Sequence, residues 1–437
     1  MSMRLIAGLA LLLMVGLLLG ASMLVYAAYV LVAIYLLTRW LSRSWAEALQ
    51  ASRVCSAVEI EIGTTVTVSL KLQNRHRVPI VWVLLEDALP RAALVGPPPA
   101  LLLEGSNLRL CTMFGGQTRL LGYKVRAMRR GYYQLGPLIA ETGDLFGLHR
   151  RFKTVTDPDY LLVLPKIIPL AGYDVASRRP IGEVHVTYRM MEDPTLISGI
   201  RKYQNGDPLR SVHWRATART GTLQCKQYQP TSVAGVTLVL DLHRESNPDR
   251  HEPVRSDLAV TAAASIAHTL MQMQQQFGLI SNGRDAVDRV AAEGLREFET
   301  RAGAQRAAAM RSTSDRLRPV IVPSARGPEH FTLVRKTLAR LERTDGLKLP
   351  ELLVETQSRL PRDATVLVIV QEVDEPAALA LGMLRRQGFS VVTIVNNYDD
   401  EVYALAVGRL MAQHISVHHL LDEESIAHIC TSLMLVA

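Results

Sequence analysis

The sequence predicts a multidomain protein with a transmembrane helical hairpin, an antiparallel β-sandwich of immunoglobulin-like type, and a doubly wound α/β domain, in that order. Three observations predict it: a long apolar run at the N-terminus, short segments in which apolar and polar residues alternate, and later short apolar runs that alternate with helical stretches. Alternation is typical of strands buried on one face, and continuous apolar runs are typical of parallel strands buried on both. The predicted domain boundaries are 1–40, 41–165, a connector at 166–230, and 231–437.

The composition is that of a folded protein with several domains. The 437 residues allow two or three hydrophobic cores. The formal net charge of +8 comes mostly from scattered arginines, so it does not point first to nucleic acid. The four cysteines stand far apart without a Cys-x-x-Cys pair, which argues against a zinc site and agrees with reduced thiols in the cytoplasm.

The N-terminal apolar run, Leu5 to Leu37, is longer than one membrane span. It holds about 33 residues, whereas one spanning helix needs about 20. A break at Gly20 to Ser22 divides it into two short helices, Leu5–Leu19 and Met23–Leu37. The competing interpretation is a secretory signal peptide, but a second apolar run follows where a mature domain would begin.

Basic residues at both ends of the apolar run predict its orientation. Arg4 precedes the run, and Arg39, Arg43 and Arg53 follow it. Because positively charged flanks remain on the cytoplasmic side, both ends and the soluble domains are predicted to face the cytoplasm from the inner membrane.

The two soluble domains are predicted from the period of their apolar residues. In the sandwich, alternating residues mark strands at Val58–Ile62, Val66–Leu72, Ile80–Leu85, Leu101–Leu110, Arg119–Val125, Tyr132–Ala140 and Leu161–Leu164. In the α/β domain, continuous apolar runs mark buried strands at Val236–Leu240, Leu279–Ile280, Val320–Val322, Val366–Val370, Val391–Val395 and Val417–Leu421. Helices are predicted near Arg255–Phe277, Glu329–Arg343, Pro350–Leu360, Glu375–Gln387, Asp399–Met411 and Asp422–Leu435, with an inserted helix at about 284–318.

The stretch from Gly199 to Lys226 concentrates unusual residues at fixed offsets. They are Arg201, Tyr203, Gly206, Asp207, Arg210, His213, Trp214, Ala218, Arg219 and Lys226. This pattern resembles the signature of the bacterial domain-of-unknown-function family number 58. Two upstream stretches, Arg130–Pro137 and Gly143–Leu148, resemble further elements of that family, with Leu145 in place of its usual proline.

The resemblance implies an architecture and partners. It implies that the α/β domain is von Willebrand factor A-like. It also implies a MoxR-type AAA+ ATPase as partner, sometimes with a transglutaminase-like membrane protein, in the assembly or maintenance of envelope or metal-dependent complexes.

One position of the α/β domain departs from the A-like pattern. Such domains end their first strand in Asp-x-Ser-x-Ser, where the carboxylate and two hydroxyls help to hold a divalent cation. Here Asp241 is kept, but His243 and Glu245 occupy the two hydroxyl positions. Hard cations prefer oxygen ligands in octahedral geometry, so we predict a degenerate site without metal and no cofactor.

The signature itself has three alternative interpretations. As a structural junction, Arg201, Arg210 and Arg219 would satisfy Asp207 while Trp214 fills the junction. As a hydrolase, Asp207, Ser211 and His213 would act together, although residues of one short loop rarely form a triad. Nucleic-acid binding through the basic residues lacks interleaved aromatic residues. The preferred hypothesis is a membrane-anchored, non-enzymatic adaptor or scaffold.

Overall fold

The protein consists of two compact units. The computed structural model describes residues 8, 11, 14, 15, 18, 22–146, 149–170, 192–204, 211–230, 235–293, 317–361 and 364–434. The first unit combines Met1–Pro165 with Asp285–Thr313 and Lys336–Leu341, and the second combines Lys166–Arg284, Ser314–Arg335 and Glu342–Ala437.

The apolar helix α1 directly precedes the strands of the first unit. It runs from Ser22 to Ala48, and its segment Val25–Ala48 is long and apolar enough to cross a membrane. The predicted helix Met23–Leu37 is therefore present but continues past Leu37, where an ion pair between Arg43 and Glu47 links successive turns. The predicted partner helix Leu5–Leu19 lies almost wholly outside the described residues.

The first unit is rich in strands. Its elements after α1 are β1 (Leu49–Cys55), β2 (Glu59–Glu61), β3 (Thr65–Asn74), β4 (Ile80–Asp87), the short helix α2 (Arg91–Val95), β5 (Leu101–Glu104), β6 (Leu108–Met113), β7 (Thr118–Ala127), β8 (Gly131–Leu135), β9 (Leu138–Gly143), β10 (Arg150–Thr156) and β11 (Asp159–Leu164).

Two four-stranded antiparallel sheets share the core of this unit. Their strand orders are β1-β3-β7-β5 and β10-β9-β4-β6, and a third sheet has the order β2-β11-β8. Along β3 every second residue is buried, as the alternation predicts, and Val66 and Leu72 pack in one cluster with Val83 of β4 and Leu138 of β9. The predicted β-rich domain is confirmed at this level.

Two predicted strands are each divided into two. Leu101–Leu110 contains β5 and β6, and Tyr132–Ala140 contains β8 and β9, with the two members of each pair in different sheets. The divisions fall at Gly105 (φ +102°) and Gly136 (φ +92°), backbone conformations that glycine adopts without strain. Strand β10 was missed, because its residues are exposed or half-buried and show no alternation.

The rest of the chain alternates strands and helices. The elements are β12 (Glu192–Lys202), α3 (Trp214–Thr220), β13 (Gln224–Pro230), β14 (Gly235–Leu240), α4 (Val254–Gln272), β15 (Gln276–Ser281), β16 (Arg284–Asp285), α5 (Ala286–Glu293), β17 (Val320–Ala325), α6 (Pro328–Arg340), β18 (Leu341–Glu342), α7 (Leu349–Thr356), β19 (Thr365–Val370), α8 (Glu375–Arg386), β20 (Ser390–Val395), α9 (Asp400–Ala412), β21 (Ser416–His419) and α10 (Glu423–Met434).

A six-stranded sheet forms the centre of the second unit. Its order is β17-β15-β14-β19-β20-β21, and all neighbours are parallel except β17, which is antiparallel to β15. The predicted α/β region is confirmed, but the prediction of a buried parallel strand at Val320–Val322 is wrong. That strand lies at the sheet edge and is half-buried, so it lacks the covering on both faces that a parallel strand needs.

Two helix predictions also change. The helix predicted to end at Phe277 ends at Gln272, because a turn with Gln274 at φ +56° leads into β15. The predicted inserted helix at 284–318 begins as α5, and most of its remainder lies outside the described residues.

A buried ion pair fixes β1 against β4 in the first unit. Nε of Arg53 donates to Oδ2 of Asp87 at 3.2 Å, Nη2 of Arg53 donates to Oδ1, and the hydroxyl of Tyr123 donates to Oδ2 at 2.7 Å. Arg53, one of the arginines that follow the apolar run, has a side chain only 2% exposed, so it is not a free surface charge. A side chain at Gly136 would overlap its guanidinium group, which explains the glycine in that motif.

Breaking this pair is expected to open the first unit. Asp87→Ala leaves the Arg53 cation buried without its carboxylate and should cost about 3–5 kcal/mol in the local unfolding free energy. The two units need not unfold together, so a single unfolding midpoint would not report on this pair alone. Hydrogen exchange of the β1 and β4 amides measures the local unfolding free energy directly. The matched control, Arg53→Met with Asp87→Leu, removes both charges and should cost clearly less. Equal losses would show that the pair is dispensable.

Candidate functional site

The candidate site lies at the carboxyl edge of the six-stranded sheet. Chain order along the sheet reverses between β14 and β19, and in open α/β sheets ligands bind beside such a reversal, outside the carboxyl ends of the strands. Asp241 directly follows β14, Asn282 follows β15, and Gln371 follows β19. The parallel pairing therefore brings three polar residues to one edge.

Asp241 is held in a closed hydrogen-bond network. The residue is 2% exposed. Its Oδ1 accepts from the backbone N–H of His243 at 3.0 Å and from Nδ2 of Asn282 at 2.6 Å, while its Oδ2 accepts from the hydroxyl of Ser246 at 2.5 Å. Burial raises the pKa of this carboxyl group, and the three donors partly oppose that shift. The carboxylate is thus committed to groups of its own domain.

Two asparagines secure the loop after β14. Oδ1 of Asn282 accepts from the backbone N–H of Leu242 at 2.7 Å, and its Nδ2 also donates to the carbonyl of Leu347 at 3.0 Å. Nδ2 of Asn247 donates to the carbonyl of His243 at 2.9 Å. Because amide side chains both donate and accept, they can close a buried loop around an acid.

His243 and Glu245 do not converge with Asp241 on one point. His243 is buried, and its Nδ1 accepts from the backbone N–H of Glu245 at 3.2 Å. Glu245 is exposed and forms an ion pair with Lys348 at 2.5 Å, which lowers the pKa of its carboxyl group. Among the described residues, no three His, Cys, Asp or Glu side chains are arranged to hold a metal ion.

These contacts test whether the residues fit a divalent cation. A cation at Asp241 needs free oxygen ligands, but both carboxylate oxygens already accept hydrogen bonds. The two positions that supply hydroxyls in A-like domains carry a buried imidazole and an ion-paired carboxylate. The residues therefore do not fit the cation site that the family resemblance implies.

Several residues at this edge were missed by the sequence interpretation. Arg255 is buried, lies 4.6 Å from the ring centre of Tyr398, and donates from Nη1 to the carbonyl of Leu421 at 2.8 Å. Gln371 is 1% exposed, and within the described ranges neither atom of its amide has a hydrogen-bond partner. Residues of this kind carry no local sequence signal, because their partners come from distant strands and loops.

The family signature forms a strand pair with a short helix. β12 pairs antiparallel with β13, so that Arg201 lies opposite Cys225 and Ile200 opposite Lys226. The backbone N–H of Tyr203 donates to the carbonyl of Leu223 at 2.9 Å. Between the strands, α3 ends at Gly221 (φ +68°). Gly206, Asp207 and Arg210 lie outside the described residues, so their predicted network with Arg201 and Arg219 stays a prediction.

Trp214 differs from its prediction. The side chain was predicted to fill a junction, but it is 65% exposed. It is the first residue of the two-turn helix α3, no residue of which is buried. The prediction that Trp214 is a packing residue is therefore wrong, and its exposure needs another explanation.

Ser211 and His213 precede α3. Ser211 is largely buried, and His213 is the N-cap residue, whose Nδ1 accepts from the backbone N–H of Ala216 at 3.1 Å. In a hydrolytic triad, Nδ1 instead carries a proton and donates it to the orienting carboxylate. The hydrogen bond made by His213 thus gives this imidazole a capping role.

Metal independence can be measured directly at Asp241. An ion at a hundred times its dissociation constant would stabilise the native state by about 2.7 kcal/mol. We expect millimolar Mg²⁺ or Mn²⁺, compared with EDTA at matched ionic strength, to leave the thermal unfolding midpoint of the protein unchanged. Asp241→Ala is the control, since it removes the carboxylate. A rise in the wild-type midpoint that disappears in Asp241→Ala would contradict the prediction.

Comparisons with solved structures give only weak similarities. The pilus adhesin SpaC from Lactobacillus rhamnosus GG aligns with a TM-score of 0.31 and 8% identity, over 46% of this chain and 29% of that one. Proximal thread matrix protein 1 from the mussel byssus aligns with a TM-score of 0.26 and 13% identity, over 46% of each chain. Scores this low do not establish a shared fold.

Comparisons of sequence are more specific. The model of the family described as "Protein of unknown function DUF58" matches residues 199–301, which include the end of β12, α3 and β13. The uncharacterized protein YeaD of Bacillus subtilis (strain 168) is 24% identical over 240 residues, which is 54% of this chain and 57% of that protein. This chain therefore matches a little over half of its relative's length. Residues 199–301, which hold the signature, are therefore similar to the DUF58 family.

Proposed function

We propose that the protein is a membrane-anchored, non-enzymatic adaptor that binds a partner protein on the cytoplasmic side of the inner membrane. The anchor is α1, whose segment Val25–Ala48 has the length and apolar character of a spanning helix. Arg39 and Arg43 at its C-terminal end are exposed, which supports a cytoplasmic position for the domains that follow.

The exposure of Trp214 is the observation that carries the adaptor role. Tryptophan is among the residues that contribute most to protein interfaces, because it offers a large apolar area and few rotatable bonds. Ile200 and Leu223, also in the signature segment, are 48% and 43% exposed. Lys202, Arg215 and Arg219 add positive charge to the same segment. The signature thus offers an apolar anchor among basic residues, which fits an acidic protein surface.

The choice of partner rests on the family resemblance. It points to a MoxR-type AAA+ ATPase, and next to a transglutaminase-like membrane protein, in the assembly or maintenance of envelope or metal-dependent complexes. An adaptor that positions a client for such an ATPase needs a binding surface and an anchor, but no catalytic group.

We further propose that the α/β domain is von Willebrand factor A-like and that the first unit contains an immunoglobulin-like sandwich. The reversal of strand order beside Asp241 supports a von Willebrand factor A-like domain, and the two four-stranded antiparallel sheets of the first unit support an immunoglobulin-like sandwich. Because the Asp241 carboxylate accepts hydrogen bonds from Ser246 and Asn282, we propose that such a domain recognises its partner without a bridging cation.

The hydrogen bond of His213 favours an adaptor over a hydrolase. A general base must present a free ring nitrogen to its nucleophile and must be oriented through the other nitrogen. In His213 that orienting nitrogen caps α3.

Trp214→Ala tests the proposed surface. If Trp214 is an interface anchor, its truncation should cost about 2 kcal/mol of binding energy, which is about a 30-fold rise in Kd for the MoxR-type ATPase of the same organism. Binding is measured with the full-length protein in detergent. The unfolding midpoint should not change, because the side chain is 65% exposed.

Met411→Ala is the matched control, since Met411 is 64% exposed on α9 of the same unit. It should leave the Kd unchanged. Equal affinity of the wild-type protein and Trp214→Ala would contradict this surface, and hydrolytic turnover that is lost in Ser211→Ala would favour the enzyme.

A further inference from the structure

Two exposed apolar side chains stand at the turn between β9 and β10. Leu145 and Phe146 are 68% and 67% exposed. They belong to the upstream stretch Gly143–Leu148, for which the adaptor role gives no explanation. Contiguous exposed apolar surface marks protein or membrane contact sites, so this pair is a candidate for one.

Hydrogen bonds join Asp144 and His149, which flank the turn. The backbone N–H of Asp144 donates to the carbonyl of His149 at 3.1 Å, and the backbone N–H of His149 donates to Oδ1 of Asp144 at 2.8 Å. Nε1 of Trp82 lies 3.5 Å from the carbonyl of Asp144. These hydrogen bonds hold Asp144, the residue before Leu145, against His149.

The same turn contacts the apolar helix α1. The ring of His149 meets the ring of Tyr35 edge-on, with centroids 4.9 Å apart. Further along α1, Thr38, Ser42 and Trp45 are buried, and the helix packs on β9 and β10. Of these contacts on α1, the one made by the β9–β10 turn, at Tyr35, lies nearest to the N-terminal end of the helix.

The end of the apolar run places this contact at the depth of the lipid. Arg39 is the first charged residue after the run Leu5–Leu37, and positively charged residues mark the boundary of a spanning helix. Tyr35 lies four residues before Arg39, or about 6 Å along the helix, on the hydrocarbon side of that boundary. A turn beside Tyr35 cannot remain in bulk water while α1 crosses the bilayer.

The charges around the turn fit a lipid surface. Arg39 stands one helical turn beyond Tyr35, and Arg150 and Arg151 follow directly after His149; all three are exposed. Trp40, 58% exposed, also lies at this level. Apolar side chains bordered by arginine and tryptophan are typical of segments inserted into an anionic interface.

We propose that Leu145 and Phe146 insert into the cytoplasmic leaflet beside α1 and form a second membrane contact of the first unit. This inference rests on the proposed membrane anchor. It assigns the turn to lipid rather than to a protein partner, since lipid is what surrounds an apolar helix at the level of Tyr35.

Site-directed spin labelling in vesicles tests the proposal. The full-length protein, with its cysteines replaced by alanine, carries one nitroxide at position 146, 114 or 29 and is reconstituted with phosphatidylethanolamine and phosphatidylglycerol. The ratio of oxygen to nickel-chelate accessibility, which rises with immersion depth, should be severalfold higher at position 146 than at position 114.

Position 114 is the matched control. Phe114 is 68% exposed, and its carbonyl accepts a hydrogen bond from Asn74. The next residue, Arg75, donates its backbone N–H to the carbonyl of Ala48, so Phe114 lies near the C-terminal end of α1. Ala48 lies 13 residues beyond Tyr35, or about 20 Å along α1, so a label at 114 should remain in water.

The label at position 29 separates this inference from the anchor. Tyr29 is 57% exposed within α1. An aqueous label at 29 would refute the anchor itself. A lipid-exposed label at 29 with an aqueous label at 146 would refute the insertion alone, as would a label at 146 shielded from both reagents, which would indicate protein contact.

A second measurement keeps the native cysteines. p-Benzoylphenylalanine in place of Phe146 should form photo-adducts with lipid, detected as a mass increase, whereas the same residue in place of Phe114 should not. Adducts of position 146 with protein only would overturn the proposal.

Discussion

The direct passage from α1 into β1 is the constraint on which the first unit depends. α1 ends at Ala48 and β1 begins at Leu49, so no linker separates the apolar helix from the first strand. Thr38, Ser42 and Trp45 recur at helical spacing and are buried, which fixes the rotation of the helix as well. Because the sheets are joined to α1 without a linker, their position relative to a membrane is set by how deeply α1 is inserted. That depth also sets which residues of the unit contact lipid.

Buried polar contacts fix the positions of strands and loops in each unit. In the first unit, Arg53 and Asp87 join strands that lie in different sheets. In the second, Asp241 draws the loop after β14 towards Asn282. Both arrangements are costly if one member is lost, because a buried group then keeps its desolvation penalty without its partner. In the second unit, three donors of the protein satisfy the buried Asp241 carboxylate.

Local patterns predicted the elements better than the site. The runs at Val366–Val370 and Val391–Val395 are strands at nearly the predicted bounds, because continuous apolar sequence directly reflects burial on both faces. The burial of Arg53 was missed because it depends on Asp87, 34 residues away. Asn282 was missed because its link to Asp241 spans 41 residues. Trp214 was assigned to packing from its residue type, and only the structure reveals its exposure.

Protease access in intact spheroplasts tests the cytoplasmic, membrane-anchored adaptor most directly. Of the arginines predicted to orient the protein after the apolar run, Arg53 is buried with Asp87, so Arg39 and Arg43 carry that prediction. The account predicts that external protease leaves the chain beyond Trp40 uncut, and that the same protease degrades it once the spheroplasts are lysed. Rapid digestion of that part in intact spheroplasts would place the domains outside the cytoplasm and would contradict the account.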